Sequence, residues 1–165
     1  MNILERVEEC VNNSQFKEYK QNNPESYLAH IFMAKNNEEV GYYNPKTDMV
    51  TTFSLSTFEK TNEDGVFKEE ESKVLPLELN EVKISPEKAI EIFDKLISEK
   101  YSAEKISQEI QLLQNINGDI VYNTTLVTGS LKIINIRLNA LTGEIIREES
   151  SSIMKLGRII NKNDK

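Results

Sequence analysis

LKIINIRLNALTGEII, from Leu131 to Ile146, decides how this sequence is read. Leu131, Ile133, Asn135 and Arg137 fall on one alternating set, and Lys132, Ile134, Ile136 and Leu138 on the other. Apolar residues occur in both sets, the pattern of a strand covered on both sides. Asn139, Thr142 and Gly143 then supply turn chemistry before Ile145 starts a returning strand. YNPKTDMV, from Tyr43 to Val50, has the same spacing. An offset of 95 pairs Asn139 with Asn44, Thr142 with Thr47, Gly143 with Asp48, Ile145 with Val50 and Tyr122 with Tyr27. Two readings stand: a duplicated unit, or a generic hairpin turn that any antiparallel protein can reinvent.

Working outward, each turn is preceded by strand-like sequence, and each half opens on a helix. Ile3, Leu4, Val7 and Val11 recur at helical spacing, and Phe16 and Tyr19 carry the pattern to about Lys20, where Asn22, Asn23 and Pro24 break it. Tyr27–Lys35, Val40–Tyr43 and Met49–Leu55 read as strands. In the second half Ser85 is an N-cap, Pro86 suits the first helical position and Glu87 favours the positive end of the helix dipole. Ala89, Ile90, Phe93, Leu96 and Ile97 repeat as one buried face. Alternation from Ile106, a turn at Asn117-Gly118-Asp119 and strands over Ile120–Val127 and Leu131–Leu138 follow. The first half thus holds a helix and at least three strands, and the second a helix and four.

Between the halves, Glu59–Glu71 holds six acidic residues against two lysines, with Gly65 in the middle, and reads as a solvated linker or exposed hairpin. VLPLEL, Val74–Leu79, reads as an extended edge segment, where Pro76 is tolerated. The tail from Ile153 is apolar and basic, carrying Lys155, Arg158, Lys162 and Lys165 against Asp164. It reads either as a closing strand or helix docked on the sheet or as a partner-docking or membrane-surface helix.

ISPEKAIEIF (Ile84–Phe93), GDIVYNTTLV (Gly118–Val127) and LKIINIRLNALTGEII together resemble the PepSY domain, found in propeptides of secreted metallopeptidases and in membrane-linked regulators. The likeness covers Ile84–Arg147, with a weaker copy over Tyr27–Leu55 in which Asp48 replaces glycine. It implies an α+β fold of two tandem cystatin-like, PepSY-like units, each a helix packed on an antiparallel β-sheet. The units run over 1–79 and 80–152, followed by the tail 153–165. A tandem pair also looks like the layout of the beta-lactamase inhibitor proteins, where two such units form a concave protein-binding sheet.

A length of 165 residues suits one domain or two very small units sharing a core. The net charge of −7 disfavours nucleic acid, whose binding depends on Lys and Arg displacing counterions. Apolar runs are too short to span a bilayer, and Glu5, Glu8 and Glu9 stand where a signal peptide needs a basic start, so a cytoplasmic location is expected. Cys10 is the single cysteine and His30 the single histidine, so no metal site and no cofactor are expected. Absence of a Gly-rich phosphate loop, zinc spacing or nucleophile elbow disfavours catalysis. The function expected is non-enzymatic binding of a protein or peptide through a sheet face or edge, extending to peptidase inhibition. Tyr27, Phe32, Tyr42, Tyr43 and Tyr122 are the candidate contacts. The alternatives are a small-ligand or enzymatic pocket between helix and sheet, and a homodimer or larger homo-oligomer.

Overall fold

The computed structural model describes residues 2–65 and 73–153. It is an α+β protein, with three α-helices and one eight-stranded antiparallel sheet among the described residues. In chain order the elements are α1 (Ile3–Asn12), α2 (Ser14–Asn22), β1 (Tyr27–Ala34), β2 (Asn37–Asn44), β3 (Met49–Ser54), β4 (Lys60–Gly65), α3 (Pro86–Lys100), β5 (Ile106–Ile116), β6 (Asp119–Thr128), β7 (Lys132–Asn139) and β8 (Ile145–Ser152). A short 3-10 turn, Leu79–Glu81, precedes α3. The strand order is β4-β3-β2-β1-β5-β6-β7-β8, so the first strands of the two halves meet in the middle.

The first helix is two helices rather than one. Asn13 adopts an extended backbone, ends α1 through its N–H to the Cys10 carbonyl, and starts α2 by accepting from the Gln15 N–H. Asn2 opens α1 with a reciprocal capping box to Glu5. The helix α3 starts as its sequence predicts, with Ser85 accepting from the Lys88 N–H and Pro86 in the first turn.

Register fixes the two faces of the sheet, because directly opposed residues point the same way. Ile31 pairs with Val40 and Leu113, Val40 with Phe53, Leu113 with Tyr122, and Tyr122 with Leu138. These side chains are buried and form one core with Val7, Cys10, Phe16, Ala89 and Phe93 of the helices. Phe16 packs edge-on against Tyr42 and Phe53, with ring centres 4.6 and 5.3 Å apart. α1, α2 and α3 therefore lie on one face. At roughly 25 cal/mol per Å² of apolar area, burying any one of these large side chains contributes about 1.5–3 kcal/mol.

Two expectations need correction. Val74–Leu79 is not a strand: it crosses the end of the central strands, held by Leu77 N–H to the Leu28 carbonyl and by Asn115 Nδ2 to the Pro76 carbonyl, 2.8 and 3.0 Å. Ile90 is not in the buried stripe of α3 but 46% exposed. Of the acidic stretch, Lys60–Gly65 forms β4, which pairs with β3 along the sheet edge with every residue exposed, and the rest of the reading falls outside the described residues.

The paired turns also sort themselves differently. In the β2–β3 turn Lys46 N–H binds Asn44 Oδ1 and Asp48 N–H binds the Asn44 carbonyl, with Asp48 at φ 56°. The β7–β8 turn has the same pair of bonds, from Leu141 and Gly143 to Asn139. A fuller match lies in the β3–β4 turn. Ser54 Oγ accepts from Ser56 and Thr57 as Asn139 Oδ1 does from Leu141 and Thr142. Glu59 N–H reaches Thr57 Oγ1 as Glu144 N–H reaches Thr142 Oγ1. Phe58 and Gly143 occupy the same left-handed position, at φ 62° and 78°. The offset joining these two turns is 85 residues, not 95.

Candidate binding face

The face away from the helices carries the other alternating set. Phe32 on β1 opposes Leu112 on β5, Leu112 opposes Asn123 on β6, Asn123 opposes Arg137 on β7, and Arg137 opposes Arg147 on β8. Along the same strands stand Ile110 and Thr125, and Val127 opposite Ile133. Phe32, Ile110, Leu112, Val127 and Ile133 are half-buried, and among the described residues no helix packs on them. They form a connected apolar stripe, since a diagonal neighbour on the next strand lies within about 7–8 Å.

Polar groups frame this stripe. Asn135 Nδ2 donates to Thr125 Oγ1 at 3.1 Å. Arg147 is held by Glu149, Nη2 to Oε1 2.6 Å. Arg137 Nε and Asn123 Oδ1 are shielded from solvent yet have no hydrogen-bond partner. Burial, with Arg147 beside it, pulls the Arg137 guanidinium below its usual pKa, and Glu149 opposes that shift. Nearer the middle, the His30 ring lies over Gly41: a Cβ built on Gly41 would stand 2.2 Å from His30 Cε1. Burial lowers the His30 pKa, against a smaller opposing pull from Glu39.

The five aromatic candidates divide between the faces. Tyr122 is fully buried on the helix side and donates to the Ile84 carbonyl at 2.7 Å, which makes it a core residue and removes it as a contact. Tyr42 is buried against Phe16 and Tyr19 and is removed likewise. Tyr27 and Tyr43 meet edge-on, with ring centres 5.6 Å apart, on the open side, where Tyr27 donates to the Val74 carbonyl and Tyr43 to Asp48 Oδ1, both at 2.6 Å. The first bond ties Tyr27 to the connector and the second ties Tyr43 to the β2–β3 turn. Phe32 remains in the apolar stripe. Sequence reasoning missed Ile110, Leu112, Val127, Ile133 and Arg137; the mixed alternation of Leu131–Leu138 was the signal for Ile133 and Arg137.

A second concavity of about 840 Å³ opens on the helix side, between the starts of α1 and α3. Ile3, Met33, Pro86 and Ile90 supply apolar wall, and Arg6 and Gln111 polar wall. The polar groups already engage one another: Arg6 pairs with Glu38, and Gln111 Nε2 donates to Thr124 Oγ1 at 3.1 Å. Glu109, at its rim, has its pKa raised by burial and by nearby Asp94. Among the described residues no group of three or more His, Cys, Asp or Glu could hold a metal ion. No helix among them is long and apolar enough to cross a membrane. The tail assignment falls, beyond Ile153, outside the described residues.

No family model and no curated protein matches the sequence. Among solved structures, the chain is similar to a crystal structure of a "putative lipoprotein" from Clostridium difficile 630, with a TM-score of 0.54 over 82% of this chain and 89% of that one. Identity is 13%, so the likeness concerns the fold alone.

Proposed function

We propose that this protein is a non-enzymatic binding module that seats another protein, or an extended peptide, on the open face of its sheet. The observation that supports it is the apolar stripe Phe32–Leu112–Ile110–Val127–Ile133, on which no described helix packs, while α1, α2 and α3 crowd the opposite face. Contiguous apolar surface rimmed by polar groups is the usual mark of an interaction site. The face is favoured over the edges. β4 presents exposed Lys60, Glu63 and Asp64, and β8 presents Arg147, Glu148 and Glu149, and charged edges resist strand addition.

Within this reading the chain is two PepSY-like units, 1–79 and 80–152, whose sheets join through β1 and β5. The repeated order of helix then four strands, and the matching turns at Ser54–Glu59 and Asn139–Glu144, favour a duplication. The PepSY resemblance extends the reading to regulation of a peptidase by steric cover.

The test is quantitative affinity capture from the source cell with the native chain and a Leu112→Gln variant, followed by peptidase assays on what is recovered. A partner enriched by the native chain and lost with the variant is the expected result. Retention of every captured protein by the variant would sink the face as the site. A second reading, a small-ligand pocket, rests on the 840 Å³ groove, which falls in the usual size range for such sites. Stabilisation by metabolites that disappears in Ile90→Trp would favour it.

A further inference from the structure

We propose that the open face receives the side-chain carboxylate of an Asp or Glu, flanked by apolar residues in a partner protein, on the guanidinium of Arg137. The inference rests on the binding face described above and gives its occupant a chemistry.

Arg137 and Arg147 are directly opposed on β7 and β8. Like charges in that relation destabilise a sheet, so the arrangement opposes folding unless something else offsets it. Arg147 has its offset in Glu149. Arg137 makes no ion pair or hydrogen bond with any described residue, and its Nε is buried without an acceptor. Scarcity of acids is not the reason, because the chain holds 27 Asp and Glu against 20 Lys and Arg. Next to it the Asn123 amide oxygen is a buried acceptor without a donor. The unfilled donor of Arg137, the atom a carboxylate can satisfy, thus stands on the face beside Asn123, in line with Leu112 and Phe32.

The planar guanidinium fork matches a carboxylate in two parallel hydrogen bonds, an arrangement both strong and directional. Its outer nitrogens can dock a carboxylate, while a small rotation of the arginine brings Nε into reach. A free carboxylate metabolite would bury little surface on an open sheet, and the stripe would gain nothing from it. An acidic side chain with apolar neighbours uses both features together. The cost of the opposed arginines and of the unpartnered Arg137 Nε is then relieved on binding, while Asn123 Oδ1, itself an acceptor, gains nothing from the carboxylate.

The experiment pans a phage library of random peptides on the full chain and measures the synthetic binders by fluorescence anisotropy. Expected binders carry an Asp or Glu between apolar residues. Replacing that residue by its amide should weaken binding on the order of tenfold or more, the usual scale for a hydrogen bond to a charged group. Arg137→Gln should weaken it equally, Arg137→Lys should restore part of it, and Arg137→Gln should leave Tm unchanged or raised. A structural role for Arg137 predicts a lowered Tm instead and would overturn the assignment. Peptides that lose affinity with Leu112→Gln but not with Arg137→Gln would sink the carboxylate site and leave the face standing. If no peptide responds to Leu112→Gln, both fail.

Discussion

Gly41→Ala tests the packing of the open face at its tightest point. The new Cβ would stand 2.2 Å from His30 Cε1, 2.6 Å from Nε2 and 2.7 Å from Nδ1, all far inside van der Waals contact. Gly41 has no positive φ, so the penalty is steric rather than conformational. His30 must leave its place, and overpacking of this kind costs about 1–3 kcal/mol. For a chain of this length each kcal/mol lowers Tm by about 2–4 °C, which gives a fall of about 2–12 °C. The assay is thermal and urea unfolding of Gly41→Ala, His30→Ala and the double variant. With the ring absent, Gly41→Ala should cost no more than about 0.5 kcal/mol and can stabilise, since Ala restricts the unfolded chain more than Gly. The coupling between the two sites is therefore of the same size as the single-site penalty. His30 is the single histidine, so its ring signals in proton NMR report the displacement directly. An equal loss from Gly41→Ala with and without the histidine would refute the reasoning.

Other outcomes follow from single contacts. His30 binds a proton less readily folded than unfolded, so the unfolded chain holds more protons just below its ordinary pKa of 6.5. Stability should be full above about pH 6.5 and fall as pH drops, and His30→Gln should remove that part of the loss in urea titrations. Cys10 is fully buried and its thiol is pushed up to about 11, so a disulfide reagent at pH 8 should label it only as fast as the fold opens. Tyr122→Phe deletes the bond to the Ile84 carbonyl and should cost about 0.5–1.5 kcal/mol in urea unfolding, with the midpoint lowered and the slope unchanged. Asn139→Ala removes the acceptor for Leu141 and Thr142 and should cost about 1 kcal/mol, while Asn139→Ser should recover most of it, because Ser54 serves the equivalent turn.

The elements that the sequence made legible are those in which one periodicity dominates. Ser85-Pro86-Glu87 and the stripe through Ala89 and Phe93 mark α3 within a residue, and alternation places six of the strands closely. The break at Asn13 escaped because Phe16 and Tyr19 keep the helical spacing while the Asn side chain caps a new helix. β4 stayed undecided between linker and hairpin because Lys60–Gly65 holds no apolar residue, and only backbone pairing with β3 makes it a strand. The equivalent turns escaped because Phe58 takes the left-handed position that glycine takes at 143, so residue type hid a common backbone. Of the candidate face, aromatic content pointed to Phe32 but also to Tyr42 and Tyr122, whose strands turn them to the helices. Which alternating set faces outward depends on where the helices dock, and that is a tertiary fact.

The order of strands also sets the size of what can be seated. Eight strands about 4.8 Å apart make a platform about 34 Å wide, and strands of roughly eight residues make it about 26 Å long. That footprint, on the order of 800–900 Å², equals one side of a standard protein–protein contact of about 800 Å². A lone extended peptide would occupy only a fraction of it, so the joining of two four-stranded halves at β1 and β5 gives a surface scaled to a folded domain.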